Sequence, residues 1–327
     1  MTITRRGALR LGGLAATALA TPGLAWAQSP LPDKPIRLLV PNAAGGVADL
    51  TARTVGAALS ERIGRAVVIE NRPGAGGIVA GQALLSAPAD GSTFMVATNA
   101  NAISKSLFRS LPFDPIRDFA PVGLMGTFAI AILVAPSSPI RTAQDLIAAL
   151  KKDVRGTNIG TISVGSTQNL AAELFKTSAG LETTTVPFSG TPALLTSLLR
   201  NDVTAAFEIV APLMGQIKDG SLRAIAVTSS ARAANLPEVP TLQEAGLKDF
   251  DVTSWNAVVA HAKAPQPVIE TLNRELNAVL ADPGVKSKLL EAGVEAKGDS
   301  PAQLGALMTS EAEKWRAVIE RAGIEKQ

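Results

Sequence analysis

The stretch Pro35-Ile36-Arg37-Leu38-Leu39-Val40-Pro41-Asn42-Ala43-Ala44-Gly45-Gly46-Val47-Ala48-Asp49 decides how the chain is read. Ile36 to Val40 is a short apolar run rich in branched side chains, which suits a strand buried on both faces. Pro41 closes it. Ala44, Gly45 and Gly46 leave almost no side chain between the backbone and whatever lies beyond the strand. Asp49 is placed to cap a helix with Leu50, Val55, Leu59 and Ile63 on its inner side and Gly64 as its stop. A helix that starts just past a parallel strand presents unpaired N–H groups and a positive dipole end, which outlines an anion site. The glycines alone would equally serve a tight turn. Recurrence of the pattern favours the anion site.

Outward from this stretch, Ala66 to Glu70 reads as a second strand and Asn71 to Gly77 as a turn. Ile78 to Ala87 reads as a helix and Ser92 to Thr98 as a third strand. A β-α-β-α-β order implies a parallel sheet with right-handed crossovers. Phe128 to Ala135 is a long apolar strand with no Gly-rich turn behind it, and Thr142-Ala143-Gln144-Asp145 is a capping box. The pattern then restarts. Asn158 to Ile162 is a strand, Ser163 to Thr167 a turn of small residues, and a helix follows to Gly180. Thr183 to Val186 and the turn Pro187 to Thr191 precede a helix with Pro192 in its first turn. Val203 to Phe207, Arg223 to Val227 and Trp255 to Ala260 complete the strands. Two amphipathic helices begin near Pro267 and at Ser300-Pro301-Ala302-Gln303. The expectation is an α/β chain of two similar domains, each a mostly parallel sheet flanked by helices. Crossings near Phe128 and Trp255 make a two-strand hinge. The first domain takes residues 28–127 and 255–327, with the C-terminal helices packed on it; the second takes 128–254.

Residues 1–27 read as an export signal. Arg5, Arg6 and Arg10 form a basic start, Leu11 to Leu24 an apolar run, and Ala25-Trp26-Ala27 a cleavage site. The Arg5-Arg6 pair fits a twin-arginine route as well as the general one. Cleavage after Ala27 removes three of the 31 basic residues and none of the 28 acidic ones, leaving 28 of each. A neutral mature chain gives no electrostatic case for nucleic-acid binding. With no cysteine and one histidine, His261, thiolate chemistry and a His-rich metal site are excluded.

Four helix starts share one chemistry, after Gly45-Gly46, Gly76-Gly77, Gly165-Ser166-Thr167 and Gly190-Thr191. In open parallel sheets such turns lie at the carboxyl ends of the strands, where ligands bind. Two from each half would line an interdomain cleft, and backbone N–H groups with Ser and Thr hydroxyls suit a carboxylate. The candidate ligand residues are Asn42, Ala44, Gly45, Gly46, Ala48, Asp49, Gly76, Asn99, Ser163, Gly165, Ser166, Thr167, Gly190, Thr191 and Glu208. Asp49 and Glu208 are also explained as a helix cap and a strand end; Trp255 and Trp315 read as core residues before stacking platforms, although Trp255 at the crossing can reach the cleft. Gly74-Ala75-Gly76-Gly77-Ile78-Val79-Ala80-Gly81 scans loosely as a dinucleotide loop, but it follows the second strand and Pro73 interrupts it. No cofactor is expected. A hydrolase reading would need Ser166 with His261, and Ser163-Val164-Gly165-Ser166 is not a nucleophile elbow.

Several blocks in one order carry a resemblance. They include Val68-Ile69-Glu70-Asn71-Arg72-Pro73-Gly74-Ala75-Gly76-Gly77, Ala89-Asp90-Gly91-Ser92-Thr93, Phe113-Asp114-Pro115, Val186-Pro187-Phe188-Ser189-Gly190 and Leu236-Pro237-Glu238-Val239-Pro240-Thr241. Over nearly the whole mature chain the sequence resembles the Bug family, the extracytoplasmic solute-binding receptors of tripartite tricarboxylate transporters. The resemblance implies a Venus-flytrap fold in the periplasm, no catalysis, a small organic acid as ligand, integral-membrane transporter subunits as partners, and a monomer. A sensory receptor handing ligand to a kinase ectodomain would share the fold. Five positions depart from the family's habit. Val47 and Ala48 stand where Pro and a hydroxyl residue are common. Asn42 replaces an aromatic residue, Ser163 a glycine and Asn169 a histidine. Loss of a hydroxyl at Ala48 shifts the expected anion contact to Ser166, Thr167 and Thr191 in the second domain.

Overall fold

The computed structural model describes residues 30–327. The expected export signal and cleavage position lie outside the described residues. The first half runs β1 (Ile36–Val40), α1 (Val47–Ile63), β2 (Val67–Asn71), α2 (Ile78–Ser86), β3 (Thr93–Thr98) and α3 (Asn99–Leu107). A long strand, β4 (Phe119–Val134), leads into α4 (Ala143–Lys152), β5 (Asn158–Ile162), α5 (Thr167–Ala179), β6 (Thr184–Phe188) and α6 (Thr191–Leu199). Then come β7 (Ala205–Ile209), α7 (Met214–Lys218), β8 (Arg223–Val227) and β9 (Thr253–His261). The chain ends with α8 (Gln266–Ala281), α9 (Pro283–Glu291), β10 (Glu295–Ala296) and α10 (Pro301–Arg321).

The strands follow the order β2-β1-β3-β9-β4-β7-β5-β6, with β8 and β10 also pairing with β4. β2, β1 and β3 are parallel, as are β7, β5 and β6. The middle is antiparallel: β9 pairs with β3 and β4, and β4 with β7 and β8. The arrangement is therefore mixed rather than mostly parallel. β4 pairs with β9 from Phe119 to Ala129 and with β7 from Ile130 to Leu133, so one strand serves both sheets. The return lies at Val252–Thr253. Val252 is held to Thr228 by backbone and hydroxyl hydrogen bonds, whereas Thr253 already pairs with Ala129.

Both faces of each sheet are covered, which is why β1, β3 and β4 are apolar almost throughout. Leu38 and Val40 pack with Val55 and Leu59 of α1 and Leu272 and Leu276 of α8. Leu39 and Met95 pack on the other side with Leu84 of α2 and Leu304 and Met308 of α10. In the second sheet Ile132 and Phe207 meet Leu146, Leu170 and Phe175, while Leu133 and Ala206 meet Leu194 and Leu198. Helix α10 was expected on the first domain alone. Its first turns do pack there, but Trp315 and Ile319 join the core of the second sheet, together with Ile103 and Leu107 of α3. Leu50, expected on the inner side of α1, is exposed, because the helix starts at Val47 and turns Thr51 and Ala52 inward.

Candidate functional site

Helix α3 begins directly beyond β3, and α1 and α5 begin after the turns that follow β1 and β5; the first turns of all three converge on one cleft of about 290 Å³. From the first half come Asn42, Gly46, Val47 and Ala48 at α1 and Thr98, Asn99 and Ala100 at α3. From the second come Ser166, Thr167 and Gln168 at α5, with Ile162 and Ile209. Ser254, Trp255 and Asn256 of β9 and Phe128 of β4 close the inner end. Neither Lys nor Arg is among these lining residues.

Each helix start is held differently. At α1 the cap is Gly46 in extended conformation, with no side-chain cap. Its leading N–H groups therefore remain available, as the geometry of helix ends requires. Asp49 sits inside the first turn rather than at the cap. Its carboxylate reaches back to the Gly45 N–H at 2.9 Å and also accepts from Asn71 Nδ2 at 2.9 Å and Arg53 Nε at 2.9 Å. Burial pushes this carboxyl up, but the hydrogen bonds from Arg53, Gly45 and Asn71 outweigh that and hold it below the usual range. Asn71 Nδ2 also donates to the Asn42 carbonyl at 3.0 Å, tying the end of β2 to this turn. At α3, Asn101 Oδ1 accepts from the Thr98 N–H at 2.9 Å. Asn99 accepts from the Trp255 N–H at 2.9 Å and donates to Glu311 Oε2 at 3.1 Å, which anchors α3 to α10. At α5, Ser166 Oγ caps the Asn169 N–H at 3.1 Å and Asn169 Oδ1 accepts from the Gly165 N–H at 3.1 Å.

Behind α5 lies Glu208, 1% exposed. Its Oε1 accepts from Gln168 Nε2 at 2.6 Å and the Ile209 N–H at 2.8 Å, and Oε2 from the Thr191 hydroxyl at 2.9 Å. Burial pushes this carboxyl up; the three hydrogen bonds pull it only partly back.

Of the sequence candidates, the cleft gathers Asn42, Gly46, Ala48, Asn99, Ser166 and Thr167. Ala44, Gly45, Gly76, Ser163 and Gly190 are not among the residues lining it, and neither are Asp49, Gly165, Thr191 and Glu208. Asp49 and Glu208 are fully engaged by protein donors. Thr191 gives its hydrogen to Glu208 instead of to the cleft, and Gly165 is packed against Leu107 of α3. Gly190 has an extended φ of 169° and an open surrounding, so a larger residue there meets no backbone strain. The sequence reading missed Gln168, Ser254 and Asn256, and although it named Asn99 it missed the helix α3 that Asn99 opens. The alternation of β9 was the available signal for the first residues past the crossing. His261 lies five residues beyond Asn256, roughly 16 Å further along the strand at 3.3 Å per residue. Its Nδ1 accepts from the Lys263 N–H at 3.0 Å. Ser166 and His261 therefore form no nucleophile–base pair.

Residues 51–324 match the tripartite tricarboxylate transporter family receptor. Protein BugT of Bordetella pertussis is 30% identical over 309 residues, 93% of this chain and 95% of BugT. Rpa4515 of R. palustris, solved with adipate, is 33% identical with a TM-score of 0.79, covering 90% of this chain and 99% of that one. MatC of Rhodopseudomonas palustris, solved with bound malate, is 27% identical with a TM-score of 0.74, covering 88% and 100%. Two domains, helix starts opening on one cleft and a match over most of the chain agree: this protein belongs to the tripartite tricarboxylate transporter receptor family, the solute-binding receptors that include the Bug proteins.

Proposed function

We propose that this chain is exported, is cleaved after Ala27, and captures a small organic acid in the periplasm for integral-membrane transporter subunits. It acts as a monomer and performs no catalysis. Residues 28–127 with 255–327 form one domain and 128–254 the other, and ligand closes them about β4 and β9. The observation that carries this reading is the convergence of three helix starts on a cleft whose lining contains no Lys or Arg. A carboxylate there is held by backbone N–H groups, the Ser166 and Thr167 hydroxyls and helix dipoles. Adipate and malate in two related receptors are acids of this kind.

Gly46→Asp tests the reading. Gly46 caps α1 with φ −78° and ψ 169°, and a Cβ there meets only the Ala43 carbonyl oxygen at 3.6 Å. Aspartate is a preferred cap, so the variant folds at least as well as the parent. Its carboxylate takes the N–H groups meant for the ligand. A charge-assisted hydrogen bond is worth about 1.5–3 kcal/mol, so acid affinity in calorimetric titration falls roughly tenfold to a hundredfold. Unchanged affinity in the folded variant would remove α1 from the binding site.

A further inference from the structure

Resting on that carboxylate reading, we propose that the acid also carries a hydrogen-bond-donating group, ammonium or hydroxyl, received by the side-chain carbonyl oxygens of Gln168 and Asn256. Both residues line the cleft, one from each half, and both are buried, at 4% and 0% exposure. The orientation of each amide follows from its partners. Thr51 Oγ1 donates to the Val47 carbonyl at 2.7 Å, so towards Asn256 it can only accept, and Asn256 Nδ2 is the group that meets it at 3.1 Å. Asn256 Oδ1 is then left buried with no partner among the described residues. Glu208 Oε1 takes the Ile209 N–H, which can only donate, and so it accepts from Gln168 Nε2 as well. The Gln168 carbonyl oxygen then has no partner among the described residues. Trp255 Nε1, beside Asn256, is a buried donor that also lacks a partner among the described residues.

A plain carboxylate offers only acceptors. It satisfies the helix N–H groups but leaves Asn256 Oδ1 unmatched, and an unmatched buried acceptor is costly. A site built to bond a donor rejects the analogue that lacks it far more strongly than a pocket senses one methylene.

Matched acids decide it, with the full mature chain titrated calorimetrically. The probes are succinate, malate and aspartate; glutarate, 2-hydroxyglutarate and glutamate; and propionate, lactate and alanine. In the set that fits the cleft, the hydroxylated or aminated member binds tenfold or more tightly than the plain acid, and comparing those two members identifies the donor. In Asn256→Leu, which keeps the Thr51–Val47 hydrogen bond, the ratio falls towards one. The ratio is taken within one protein, so a change in stability does not mimic it. Plain acids that bind as tightly as their substituted partners overturn the inference and leave the carboxylate reading standing. If no acid of any set binds, the carboxylate reading fails and this inference with it.

Discussion

The turn after β1 and the turn after β5 are the same device built twice from different residues. In each, a glycine with φ near +80° (83° at Gly45, 79° at Gly165) gives its N–H to a side chain four residues later, inside the first helical turn. In the first turn that side chain is Asp49, with Arg53 and Asn71 beside it. In the second it is Asn169, whose amide donates to Thr161 Oγ1 at 3.1 Å. Both are nearly fully buried. The difference teaches where a buried charge is tolerated. A carboxylate appears where an arginine is in reach, and the neutral isostere where no arginine is among its partners in the described residues. The caps differ too: Gly46 has no side chain for its helix, whereas Ser166 does cap α5.

The largest expected effect comes from the glycines. A Cβ on Gly165 would lie 2.5 Å from Leu107 Cδ2, whereas one on Gly45 meets nothing within 4 Å. Gly165→Val combines left-handed strain with overpacking and costs about 3–5 kcal/mol. Gly45→Ala bears the strain alone, about 1–2 kcal/mol. Urea unfolding of both variants checks the contrast; equal losses would show that α3 does not press on the second turn.

Exchanging acid and amide is the next test. Asn169→Asp buries a carboxylate without a cation and costs about 2 kcal/mol at neutral pH, since burial costs several kcal/mol per ion and hydrogen bonds from Gly165 and Thr161 return part of it. The sign of its pH dependence is distinctive. Burial raises that carboxyl in the folded state, so the variant loses stability as pH rises through the raised value. Asp49 behaves oppositely. Its folded-state value is depressed, so its contribution is present above the unfolded value and is lost as pH falls through the folded one. Asp49→Asn therefore flattens the acid limb of the stability curve. Midpoints of urea unfolding between pH 3 and 8 measure both slopes, and parallel curves for the two variants would break the comparison.

The smallest expected effect is at the caps. Ser166→Ala removes the bond to the Asn169 N–H and costs about 1 kcal/mol, while Gly46→Ala changes stability by less, because no side-chain cap is lost there. Thermal unfolding resolves the pair. A larger loss in Gly46→Ala would mean that α1 relies on its cap more than α5 does.

Much of this fold was legible in the chain. The strands Ile36–Val40, Asn158–Ile162 and Arg223–Val227, the left-handed stops at Gly64 and Gly180 and the Thr142 capping box all fall where the residues indicated. These are local features, decided by branched side chains, a missing Cβ or a hydroxyl three residues from its N–H. Helix α3 was not legible. Its inward residues include Asn99, Asn101, Ser104 and Ser106, so no apolar stripe marks it. The first nine residues of β4 were hidden as well, because Pro121 and Gly123 interrupt the pattern where the register with β9 shifts.

The candidate site divides along the same line. The sequence by itself determined that glycine-rich and hydroxyl-bearing turns precede helices in both halves, that no thiolate and no His cluster is available, and which family the motifs resemble. The tertiary structure decided which of those turns share a cleft. It brought α1, α5 and the unsuspected α3 together, left the turns at Gly76 and Gly190 out of the cleft lining, and spent Thr191 and Asp49 on protein partners. The physical reason is range. A turn's conformation follows from its own few residues, but whether its donors remain free depends on side chains brought from far along the chain, as Glu208 is to Thr191 and Asn256 to Thr51.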